Sequence, residues 1–453
     1  MSTHITHPQF HLDVFSDILK LNIGVSQPDN QRMFEWLNNI LPLTIYRYPS
    51  GTEHNGWIVP DEWEVKQALI LHNGKIMFDG TIHPLAVAGY SPSFVGFLSK
   101  TELDAHIFTR PTMPNAYPFH CMNNYRPWAR EWGFCIPYNV WRQWPDGEYE
   151  VQLYTEYKPG EMLVAEYHHQ GELEETIVFN AHTCHPCQFN DDLSGVAVIL
   201  SLFKQIQQNK TRYSYRALFA PEHLGTVFYL SDRNPDDQAR LKAGIFVDMV
   251  GIDRPLALQH SFTGNHIIDY LAENLIRSIC SDAKIGDFRT IVGNDETVWE
   301  APGIEIPFIS ISRCVDPGYY PQYHTSDDNL MINSEMKLAE AKQVLEEIVN
   351  IFEVDSTITR HFNGLVALSN PKYDLYVQRP DPTVDKQFSE QQMQLGSIQD
   401  RLPRYFNGKK TVFELARQFN LPFNLLYAYL CQFEKKDLIS MHRVKGMDHY
   451  QSS

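Results

Sequence analysis

The sequence predicts an α/β protein: a sandwich built on a mixed, largely parallel central sheet, interrupted by a small β-rich module and closed by a C-terminal winged helix. Strands and helical segments alternate from about residue 148 to residue 249, the pattern of a sheet whose parallel strands are joined by helices. Short alternating stretches around His72-Asn73-Gly74-Lys75 read as hairpins. Two amphipathic helical segments and a strand-like stretch make up the last fifty or so residues.

Taken in order, an amphipathic helix is expected around Phe10 to Leu21 and a second from Gln31 to Ile40, followed by turns at Tyr48-Pro49-Ser50-Gly51-Thr52 and Val59-Pro60-Asp61-Glu62-Trp63. Ala68 to Leu71 and Ile76 to Phe78 read as hairpin strands of the inserted module. Strands follow at Tyr149 to Tyr154, Met162 to His168, Glu175 to Ala181, Tyr213 to Ala220 and Gly244 to Met249. Helices lie between them at Ser194 to Gln207 and Gly225 to Leu230. A long helix from Ser334 to Val354 shows the helical period through Leu338, Val344, Ile348 and Ile351, and residues 365–400 read as a linker or closing meander. Thr411 and Glu414 form a capping box, Pro422 opens a second helix, and Lys435-Lys436-Asp437-Leu438-Ile439-Ser440 has strand character. The expected domains are 1–65 with 138–400, an insertion at 66–137, and a winged helix at 401–453. No internal repeat is visible.

At 453 residues the chain exceeds one typical core. Its 43% hydrophobic and 21% charged content is that of an ordinary globular protein. Met1 to Pro8 lacks a basic stretch leading into an apolar one, and no apolar run approaches the roughly 18 residues of a spanning helix, so a cytoplasmic protein without membrane partners is expected. Seven cysteines, an odd number over a long chain, do not suggest a disulfide framework. The formal charge of −17 argues against sequence-independent binding to nucleic acid.

The run from Asn180 to Gly195, Asn-Ala-His-Thr-Cys-His-Pro-Cys-Gln-Phe-Asn-Asp-Asp-Leu-Ser-Gly, is the most informative stretch. It sets His182 at the end of an apolar strand and Asp191 at the mouth of a helix. Glu222 and His223, Asp248, and His324 follow in order. Zinc accepts imidazole nitrogen and carboxylate oxygen, so such a set with one unligated glutamate is the minimum for zinc-dependent hydrolysis. Asp191 has the chemistry to bridge two ions.

The order His182, Asn190-Asp191-x-x-Ser194-Gly195, Glu222-x-x-Gly225, Asp248-Met249-x-Gly251, Tyr323-His324-Thr325-x-x-Asp328 resembles the zinc aminopeptidases of the di-zinc exopeptidase clan. It is closer to an aminopeptidase-like branch with His-x-Cys-His-Pro, an inserted β domain and a C-terminal winged helix. Pro49-Ser50-Gly51-Thr52, Trp132-Gly133-Phe134-Cys135 and Gly293-Asn294-Asp295-Glu296 extend the likeness over most of the chain. The resemblance implies a zinc-exopeptidase-like sandwich and one or two zinc ions. It implies that His182 and Asp248 bind one ion and His324 the other, with Asp191 between them and Glu222 as general base. His223 stands where the aminopeptidases carry a second glutamate ligand, Tyr323 is placed to donate to an oxyanion, and Cys184 replaces an aspartate that orients the histidine. His185 is the rival of His182 as ligand, or otherwise supports the site or the helix entry. Asp295 and Glu296 are candidates to anchor a substrate amine.

The implied activity is release of an N-terminal aminoacyl group from a peptide or peptide-like small molecule. Two other readings compete. Cys184-His185-Pro186-Cys187 matches a thiol-redox motif, and a winged helix suits a DNA-binding regulator, although Asn424 to Leu430 offers few side chains able to read bases. Homo-oligomerisation through the winged helix or the insertion is a further expectation.

Overall fold

Strands Thr176–His182 and Ser214–Ala220 are buried at every position in the computed structural model, as continuous apolar runs in a sheet covered on both faces must be. The structure describes residues 10–120, 123–315, 317–378 and 389–451. These two strands lie inside an eight-stranded sheet ordered Thr44–Pro49, Glu161–His169, Ser214–Ala220, Thr176–His182, Leu241–Val247, Phe308–Ser312, Ala257–Gln259, Lys284–Gly286. The run from Ser214–Ala220 to Phe308–Ser312 is parallel, and antiparallel pairings flank it on both sides. The sheet is therefore mixed with a parallel centre.

Side chains alternate across it. Ile177, Phe179, Ala181, Ile245 and Val247 pack on one face with helices Asp29–Asn38, Ser194–Ile206, Ile267–Ile279 and Glu335–Val354. Val178 and Phe246 point to the other, against Leu224, Phe228 and Trp299. That period of two divides one apolar strand between two cores. Among the described residues no helix is long and apolar enough to cross a membrane.

The antiparallel strands around the hairpin reach beyond the stretch read as an insertion. Strand Glu148–Lys158 does not join the central sheet; it pairs with Glu62–His72 and Phe94–Ser99 in a four-stranded antiparallel sheet that also holds Lys75–Asp79. Tyr149, Val151 and Leu153 are buried while Glu150 and Gln152 between them are half-buried, the alternation of a strand with one wet face. Asn73 and Gly74 have φ of 50° and 72°, the left-handed pair that a two-residue hairpin needs.

The C-terminal part also differs from expectation. Ser389 and Gln392 form a capping box that starts helix Glu390–Ile398 inside the stretch read as linker; residues 379–388 of that stretch, like Met1 to Pro8, lie outside the described residues. The Thr411–Glu414 box and the start after Pro422 are present. Strand Ile439–Arg443 makes no local hairpin with Asn407–Thr411. Both pair instead with Ser356–Arg360, the segment directly after the long helix. Val412, Leu415, Leu426 and Leu430 join the same core as the central sheet.

Candidate metal centre

The four parallel strands deliver the site. His182 ends strand Thr176–His182, Asp248 directly follows Leu241–Val247, and Glu222 lies two residues past Ser214–Ala220. His324 is in the loop after Phe308–Ser312, and Asp191 precedes helix Ser194–Ile206. Carboxyl ends of parallel strands are where such a sheet opens a crevice. Gly195 lets the helix approach: a Cβ there would stand 2.0 Å from the Val247 carbonyl oxygen and 2.5 Å from Asp192 Oδ1.

One carboxylate sits between two sets of donors. Asp191 Oδ1 is 2.9 Å from His182 Nε2, which is 3.8 Å from Asp248 Oδ1. Asp191 Oδ2 is 3.3 Å from His324 Nε2 and 3.6 Å from His185 Nε2. Groups that sequence reasoning missed hold these in place. Asp192 accepts from the backbone N–H of His182 (3.2 Å) and Gly195 (3.0 Å). Asp328 accepts from the N–H of Asn190 (2.8 Å) and Asp191 (3.2 Å) and from the Tyr320 hydroxyl (2.6 Å). Asn294 Nδ2 donates to Asp248 Oδ2 at 3.1 Å. Their signal in the sequence was the second acid of each Asp-Asp pair and the Asn of Gly-Asn-Asp-Glu.

The donor set fits a divalent cation. Asp191, Asp192, Asp248 and Asp328 are all buried, and Asp248 Oδ1 and Asp191 Oδ2 have no hydrogen-bond partner among the described residues. Uncompensated buried carboxylates are costly. Burial and the neighbouring Asp192 push Asp248 well above the usual carboxylate range. Burial opposes ionisation of Asp191 too, but His182, His324 and His185 outweigh it and hold that carboxyl well below its ordinary value. Burial keeps His185 neutral, well below the usual imidazole range. The ligand atoms of His182, Asp191 and Asp248 lie within 4.8 Å of one another, as do those of His185, Asp191 and His324.

The remaining residues fall in distinct places. Glu222 is beside His223, their Oε1 and Nε2 3.4 Å apart, and burial raises its carboxyl above the ordinary value. His223 is not in either cluster of donors: its Nδ1 is 3.3 Å from Asp295 Oδ1 and its backbone N–H donates to the same carboxylate. Asp295 also accepts from the Thr226 hydroxyl. Glu296 accepts from Gln259 Nε2 (3.1 Å) and the Asn294 N–H, and pairs with Arg289 at 3.3 Å. Both acids are fully buried. Their oxygens accept from internal donors. Tyr323 stacks on Tyr319 (4.2 Å) and on His324 (3.9 Å). Cys184 Sγ is 3.4 Å from His182 Nδ1.

The insertion reaches this loop directly. Phe119 N–H donates to the His324 carbonyl at 2.9 Å, Ser326 N–H to the Tyr117 carbonyl at 2.8 Å, and Arg110 to the Tyr323 carbonyl. The Phe119 ring lies 4.7 Å from His185 and 5.3 Å from His324. Residues 110–119 therefore roof one side of the centre.

A Clostridium acetobutylicum protein, named as a candidate polysaccharide biosynthesis protein with an aminopeptidase-like domain, is 33% identical over 319 residues, covering 70% of this chain and 71% of that protein. A crystal structure of a candidate peptidase from Clostridium acetobutylicum superimposes with a TM-score of 0.79 at 25% identity, covering 95% of each chain. A zinc aminopeptidase from Bacillus subtilis shares the fold, with a TM-score of 0.56 at 12% identity over 75% of this chain and 93% of that one. Residues 12–355 match the family model described as "Domain of unknown function (DUF4910)". With the match spanning the whole central sheet and its insertion, the chain belongs to the DUF4910 family.

Proposed function

We propose that this protein is a metal-dependent hydrolase that cleaves an amide bond, releasing an N-terminal aminoacyl group from a peptide or peptide-like small molecule. The observation that carries the reading is the cluster of His182 and Asp248, at adjoining strand ends, with Asp191 from the segment before helix Ser194–Ile206, together with an unpartnered buried Asp248 oxygen and Glu222 close by. These three side chains would hold the ion. A zinc ion bound there supplies a Lewis acid that polarises a carbonyl and acidifies water.

The chain's own groups do the rest. Glu222 takes the proton of the attacking water and passes it to the leaving amine, a role suited to a carboxyl whose pKa burial has raised. Asp295 fixes the His223 backbone and so orients Glu222 before it. The Tyr323 hydroxyl donates to the oxygen that gains charge. Likeness to a candidate peptidase, and a fold shared with a zinc aminopeptidase, support the reaction class. The thiol-redox alternative finds no support in the thiols: burial raises Cys184, and Cys187 is pushed up to about 12, the reverse of a reactive thiolate.

The test is hydrolysis of a panel of aminoacyl-p-nitroanilides by zinc-loaded and chelator-stripped protein. Release that vanishes on stripping and returns with zinc is expected. Activity that survives stripping and is lost on thiol alkylation would point to a cysteine nucleophile and overturn the metal-dependent reading.

A further inference from the structure

We propose that His185, rather than His223, joins Asp191 and His324 in a second divalent-cation site, so that the chain takes two ions sharing one carboxylate. This rests on the metal-dependent reading above and concerns which side chains hold how many ions.

The two oxygens of Asp191 face opposite ways. Oδ1 is turned to His182 at 2.9 Å, whereas Oδ2 faces His324 at 3.3 Å and His185 at 3.6 Å. Ligands about 2.1 Å from a tetrahedral zinc stand roughly 3.4 Å apart, so the second spacing is already that of a shared ion. Asp191 Oδ2 has no hydrogen-bond partner among the described residues, and His185 is buried. Phe119 packs on both imidazoles; His185 is buried while His324 stays partly open to solvent.

His223 is held elsewhere. Asp295 engages its ring and its backbone, Glu222 lies on its other nitrogen at 3.4 Å, and Trp57 and Tyr125 flank the ring at 6.3 Å each. Its Nε2, the nitrogen left to ligate, is turned toward Glu222, and His223 belongs to neither cluster of donors around Asp191, whereas His185 does.

The two sites differ in charge. His182, Asp191 and Asp248 give one imidazole and two carboxylates; His185, Asp191 and His324 give two imidazoles and only the shared carboxylate. The second ion should bind about tenfold or more weakly, with a preference for zinc, cobalt or nickel over magnesium or manganese.

The test is titration of chelator-stripped protein with Zn²⁺, read by elemental analysis after gel filtration, and with Co²⁺, read by visible absorption. Two ions per chain are expected for the wild type and for His223→Ala, and one for His185→Ala. Two ions retained in His185→Ala, or one in His223→Ala, would overturn the assignment. Thermal unfolding of the stripped variants checks that each is folded. Anomalous scattering at the zinc edge from wild-type crystals needs no variant: a second peak beside His185 supports the site, and a second peak beside His223, or a single peak at His182, overturns it. Absence of any ion would overturn the parent reading as well.

Discussion

Two buried aspartates in different parts of the molecule show what distinguishes a structural carboxylate from one available for chemistry. Asp355, at the junction of the long helix and the C-terminal part, accepts from the N–H of Ser356 (2.9 Å) and Phe413 (3.0 Å) and from the Tyr450 hydroxyl (2.7 Å). Asp248 is equally buried, but its Oδ1 has no partner among the described residues. A carboxylate saturated by donors ties segments together; one left open beside histidines is available to a cation. Burial alone does not separate the two cases. The inventory of partners does.

The comparison can be broken at several points. Glu222→Gln should lower turnover by about 10²- to 10⁴-fold while elemental analysis shows unchanged zinc. Because the base must be ionised, and burial raises Glu222, wild-type kcat/KM should fall as pH drops through a value above the ordinary glutamate range. Loss of zinc along with activity would make Glu222 a ligand instead.

Asp355→Ala strands the donors of Ser356, Phe413 and Tyr450 and should cost about 3–5 kcal/mol in urea unfolding, with zinc content untouched. Stripping the metal should cost about 2.7 kcal/mol when free zinc had stood a hundredfold above Kd. Asp191→Asn should lower zinc content and abolish that dependence; a variant still stabilised by zinc would remove Asp191 from the centre.

Tyr450→Phe removes one donor from Asp355 and should cost about 1 kcal/mol. The pH dependence sharpens this end of the comparison. Burial raises the Asp355 carboxyl to about 6, whereas in the unfolded chain it titrates near 4. The folded state then binds more protons between about pH 4 and 6, so this group's contribution to stability falls as pH rises through that window. Asp355→Asn should flatten that part of the profile, measured by urea midpoints across pH.

Much of the core was legible because its strands are unmixed apolar runs and its helices keep their period. The strand Glu148–Lys158 was assigned to the wrong sheet because strand propensity says where a strand is, and only its finer alternation of wet and dry faces says what it pairs with. The helix at Glu390–Ile398 had a visible capping box but weak apolar periodicity. At the centre, His182, Asp191, Asp248 and His324 were readable as an ordered set, and they converge. Asp295 and Glu296 looked available as acids in a polar segment, yet they are internal acceptors.

By itself the sequence determined which chemical groups the protein owns and in what order the strands present them, because backbone pattern and residue type are local properties. Only the tertiary structure decided which imidazole faces Asp191 Oδ2 and which turns to Asp295. That choice depends on loops whose paths are fixed by packing against the insertion, 209 residues away where Tyr117 meets Ser326, and directional bonds of about 3 Å are set by such packing rather than by spacing along the chain.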